Sequence, residues 1–74
     1  MTLIEVAWIY TDLVKAEREI LAEEFHAKDQ INALRTKYHE ELMTKMREEG
    51  IIFSDRFDAT HKAFELIQQN ARSA

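Results

Sequence analysis

Between Thr2 and Glu49 the chain contains neither proline nor glycine, and its single glycine, Gly50, is followed by the apolar run Ile51, Ile52, Phe53 and a fresh helix start at Ser54 or Asp55. Proline and glycine are the strongest local interrupters of helical structure. Their absence from a stretch made almost entirely of competent helix formers points to an all-α fold with one punctuation mark. The reading is a single small helical domain: a long helical arm over 3–48, a turn over 49–54, a returning helix over 55–71 and a frayed tail over 72–74.

Local chemistry supports this division. Thr2 and Glu5 have the spacing of a capping box, in which the hydroxyl accepts from the amide three residues on while the carboxylate reaches back. From there a four-three spacing runs through Val6, Tyr10, Leu13, Glu17, Ile20, Glu24, Ala27, Ile31, Leu34 and Tyr38, interrupted by Glu17 and Glu24. That is a coiled-coil-like seam, which drifts to an ordinary helical stripe at Leu42 and Met46. An unbroken helix over 3–48 would be about 70 Å long at ~1.5 Å per residue. Soluble domains rarely carry such a helix without a partner alongside it. The alternative is a break at 26–30, with Asp29 capping a second helix and a three-helix unit resulting. The favourable Glu24–Lys28 pair spans that region and favours continuity.

Gly50 supplies the left-handed residue that closes many helices. The returning helix places Phe57, Thr60, Phe64, Ile67 and Ala71 on one stripe, widened by Ala59, Ala63 and Leu66. Its natural seat is against Leu34, Tyr38, Leu42 and Met46. Residues 3–14, the most apolar part of the chain, are then left uncovered. A helix apolar on most sides is normally buried on most sides. Leu3, Val6, Trp8, Ile9, Tyr10 and Leu13 are therefore the expected interface residues. The expected assembly is a homodimeric helical bundle, and Trp8 and Tyr10 are the anchors for a second, different protein.

With 74 residues and no cysteine, the chain has room for one small core and no disulfide to staple it. Chains of this size commonly draw the missing stability from oligomerisation. The net charge of −4 disfavours general binding to nucleic acid or to an anionic membrane. With no basic start and no long apolar run, the expected location is the cytoplasm.

Three chemistries compete with this reading. Glu23 to His26 and Asp58 to His61 each place a carboxylate and an imidazole three residues apart on a helix, the spacing that carboxylate-bridged metal bundles use, with Glu19 and Glu65 as further acids. Glutamate is abundant in the chain, and such pairs arise on ordinary helix surfaces. A helix-turn-helix reading takes Gly50 as the turn and the last helix as the DNA reader, but Asp55 and Asp58 would then face the phosphates beside Arg56, His61 and Lys62. His39 has no cysteine nucleophile, glycine-rich loop or preorganised cleft evident beside it, so no enzyme activity and no cofactor are expected. The paired acids Glu23–Glu24, Glu40–Glu41 and Glu48–Glu49 read as solvated helix surface, with a possible second use as acidic ridges for a basic partner. The function expected is that of a small acidic interaction module that binds and modulates, or helps assemble, a larger protein. The alternatives are a small DNA-binding regulator and a metal-binding bundle.

Overall fold

The computed structural model describes residues 1–20 and 24–73. In chain order they form α1 (Leu3–Glu19), α2 (Phe25–Glu48) and α3 (Arg56–Ser73). The fold is all-α, and no described helix is long and apolar enough to cross a membrane.

Helix α1 begins as its first residues dictate. Thr2 Oγ1 accepts from the Glu5 amide at 3.3 Å, and Glu5 Oε1 accepts from the Thr2 amide at 3.1 Å, so both halves of the capping box are made. Helix α2 ends in the Schellman pattern. The Ile51 amide donates to the Met46 carbonyl at 2.8 Å and the Gly50 amide to the Arg47 carbonyl at 3.1 Å, with Gly50 at φ +75°. Asp55, rather than Ser54, caps α3: its Oδ1 accepts from the Asp58 amide at 2.8 Å, while Asp58 Oδ2 accepts from the Ser54 amide at 2.8 Å.

The long arm is interrupted, six residues before the expected break. Helix α1 stops at Glu19, Ile20 adopts an extended conformation (φ −76°, ψ 130°), and α2 starts at Phe25. His26–Gln30 lie inside α2, so Asp29 is not a cap, and Glu24 precedes the helix without a side-chain cap bond. The cause is tertiary. An unbroken arm would leave its apolar stripe in water, whereas folding α1 antiparallel onto α2 buries the two ends of that stripe, Val6 and Tyr10 with Leu42 and Met46, within one chain. Burial of an amphipathic face outweighs local propensity in most protein helices. Glu17, which looks like a defect in the seam, is where the two helices are pinned: its Oε2 accepts from Arg35 Nε at 2.6 Å. The longest dimension is accordingly 39 Å, not that of an extended arm.

Helix α3 also corrects the expected packing. Tyr10 meets Thr60 at one end of α3, and Leu66 lies beside Leu3 and Ile4 at the other. It therefore runs antiparallel to α1 and parallel to α2, and it packs mainly on α1 with little contact to α2. Its buried stripe is Ala59, Ala63 and Ile67, about a quarter-turn from the expected one. Two alanines one turn apart let the backbones of α3 and α1 approach where Ala7 and Thr11 are themselves buried. Phe57 is left 86% exposed and Phe64 half-buried, so neither serves as the deep anchor against α2 that the sequence suggested.

The core is thus Leu3, Val6, Ala7 and Tyr10 of α1, Leu42, Met43 and Met46 of α2, and the α3 stripe. Half-buried Ile51 and Phe53 of the connection close over it, with the Arg47 guanidinium 5.3 Å from the Phe53 ring centre. All of this lies at the end of the molecule that holds the start of α1. No described residue between Asp12 and Tyr38 is buried.

Candidate interaction surface

Two surfaces stand out, one on each face of the α1–α2 hairpin. The first is a cleft of about 480 Å³ where the start of α3 meets the hairpin, lined by Val14, Glu17, Arg35, His39, Arg56 and Phe57 among others. Its floor is a hydrogen-bond chain joining all three helices. Thr60 Oγ1 donates to the Arg56 carbonyl at 3.2 Å, so it accepts from the Tyr10 hydroxyl at 2.8 Å. The same Arg56 carbonyl lies 3.2 Å from His39 Nε2. A carbonyl only accepts, so Nε2 carries the proton and Nδ1 the lone pair.

The His39 ring is 4% exposed, packs against Tyr10 with ring centres 5.0 Å apart, and leaves Nδ1 buried without a partner. Burial pushes the imidazole pKa below its ordinary value, and the nearby Arg56 charge, followed by Arg35, pushes it the same way. The neutral ring is the form this setting favours. Imidazole and hydroxyls alike are committed to holding helices together, which gives the cleft a structural role.

The second surface lies on the opposite face. Tyr10 and Glu17 turn toward α2, and Ala7 and Thr11 lie on the side of α1 that α3 covers. Helical spacing then puts Ile9, Leu13, Ala16 and Ile20 on the remaining flank of α1. All four are only half-buried. On α2 the equivalent flank, beyond Arg35, His39 and Leu42, carries Ala27, Ile31, Leu34 and Tyr38, with Leu34 44% exposed. Because the two helices are antiparallel and face each other, these flanks open on the same side. By this spacing the two flanks make one apolar strip between α1 and α2, the groove, on the side away from α3.

The interface residues expected from sequence divide between these surroundings. Leu3, Val6 and Tyr10 are spent in the intramolecular core and are unavailable to a partner. Ile9 and Leu13 line the groove. Trp8, 40% exposed, sits on the other edge of α1, away from it. The groove's α2 half was missed, although the four-three spacing of Ala27, Ile31, Leu34 and Tyr38 was its signal. Nothing local distinguished Arg35 and His39 from ordinary surface residues.

Of the metal candidates, Glu23 lies outside the described residues and His26 is exposed. Asp58 is engaged by the Ser54 amide and by Lys62 at 3.2 Å, and these contacts hold its carboxyl below the usual carboxylate range. His61 Nε2 lies 2.9 Å from Glu65 Oε1. Among the described residues no three His, Asp or Glu side chains gather around one point that an ion could occupy. No known protein family, curated protein or solved structure matches the chain.

Proposed function

We propose that the chain is a protein–protein interaction module that binds and modulates, or helps to assemble, a protein partner through the groove between α1 and α2. One observation carries the proposal. The half of the hairpin from Asp12 to Tyr38 holds Leu13, Val14, Ile20, Phe25, Ile31 and Leu34, yet none of its described residues is buried. Each such side chain gains about 1.5–3 kcal/mol on full burial, so a covering partner has a substantial driving force. The acidic surface of α2 around Glu40, Glu48 and Glu49 is exposed and suits a partner with basic surroundings. The alternatives draw less support. Two of the side chains that a DNA-reading α3 would need, Lys62 and His61, are beside Asp58 and Glu65, and those same contacts occupy the metal candidates of that helix.

The test is site-specific photocrosslinking in living cells. A crosslinker at Leu34 should trap one or a few discrete protein adducts, and one at exposed Arg47, away from the groove, should not. Equal labelling from both positions, or none from Leu34, would remove the groove as the interaction surface.

A further inference from the structure

The groove has edges as well as a floor, and they carry different charges. Along α1 the outer edge is Glu5, Asp12 and Glu19, spaced every seven residues and all exposed. Along α2 the matching edge is Gln30, Lys37 and Thr44, also every seven residues and also exposed. A seven-residue repeat keeps a line of side chains on one edge of a helix that packs against another. One edge is wholly acidic, whereas the other holds a cation and two neutral polar groups. The nearest acid on the α2 side, Glu41, sits four residues from both Lys37 and Lys45, which bracket its charge. Neither Asp12 nor Lys37 forms an ion pair among the described residues.

This pattern is complementary to itself in one arrangement only. Placing the α1 of one copy on the α1 of another would set the acidic edge against its own image, and like charges facing each other oppose association. Placing α1 on the α2 of a second copy sets acids against a cation and neutral groups. A twofold axis parallel to the helices produces that arrangement, because it makes two identical contacts and keeps each helix at its own height. The heights agree. Within the chain Tyr10 stands opposite His39, so Asp12 stands level with Lys37, Glu5 with Thr44 and Glu19 with Gln30.

We infer that the occupant of the groove is the same groove of a second copy. In this dimer α1 of each chain lies antiparallel to α2 of the other, and Asp12 faces Lys37 of the second copy twice over. Ile9, Leu13 and Leu34 are the apolar centre of a four-helix core, the usual way paired hairpins bury such faces. The inference rests on the groove being the interaction surface, and it adds the identity of the partner and its register.

Sedimentation or light scattering across a concentration series tests it with five variants. Leu34→Asp should weaken dimerisation at least about a hundredfold, since it buries two uncompensated charges. Asp12→Lys and Lys37→Asp should each weaken it about five- to tenfold, each change acting at two contacts, and the combined variant should regain most of the loss. Both positions are exposed, so the helical circular dichroism of the subunit should be retained. Phe57→Asp, on the opposite face, should leave the dimer unchanged. A monomer at every concentration, a dimer broken by Phe57→Asp but not by Leu34→Asp, or a dimer indifferent to both charge reversals would overturn the assignment. A monomer that still gives a discrete foreign adduct from position 34 would defeat the dimer and leave the interaction module standing. The absence of any adduct from position 34, self-crosslinks included, would defeat both.

Discussion

His39 concentrates what a single residue contributes here. Its Nε2–H satisfies a carbonyl in the first turn of α3, its face packs on Tyr10, and its charge is disfavoured by burial and by two arginines. The folded-state pKa is therefore below that of the unfolded chain, and the unfolded state takes up a proton first as pH falls. The ring's contribution to stability is fully present above the ordinary histidine value of about 6.5 and is lost as pH falls through the folded-state value. Denaturation midpoints should begin to decline as pH falls below the ordinary histidine value. The limiting slope for one proton is ~1.4 kcal/mol per pH unit. His39→Gln should flatten the decline. If that variant keeps the same slope, the titrating group is another.

The elements were legible in the sequence to the extent that local chemistry defines them. Thr2 with Glu5, Gly50 and Asp55 mark helix ends through contacts within a few residues, and each does so in the structure. Gly50 offers the sharpest test at this scale. A Cβ added there would meet nothing within 4 Å, so Gly50→Ala carries only the backbone penalty of a left-handed residue, about 1–2 kcal/mol. Thermal melting should show the loss, and Gly50→Asn should recover part of it. An unchanged melting curve would mean that the Schellman turn contributes little. The break after Glu19 was illegible for the opposite reason. No residue there interrupts a helix, and the contacts that fold α1 back, Glu17 with Arg35 and Tyr10 with His39, join residues far apart in sequence. Charged side chains at those positions look the same whether they face water or each other. Of the candidate surface, Ile9 and Leu13 were visible, but their partners across the groove depend on that fold-back.

Among the described residues the molecule is two unequal halves, one holding every side chain that is buried and the other only the paired ends of α1 and α2. Local opening is easiest where few apolar contacts are buried. Hydrogen exchange should be slowest at Val6–Tyr10 and Leu42–Met46, and much faster at residues 14–19 and 26–34 in dilute protein. Uniform protection along all three helices would contradict this division. The direction of α3 has a separate consequence. Since α3 runs back along α1 toward Leu3, the last helix finishes at the pole where the first begins, opposite the α1–α2 connection. Helix order along the chain is therefore a matter of which joints are closed. Bridging the two ends with a short flexible loop and opening the chain between α1 and α2 gives a circular permutant in the order α2, α3, α1. Every helix keeps its neighbours in such a permutant, and a fusion made before α1 or after α3 leaves from the pole farthest from the connection.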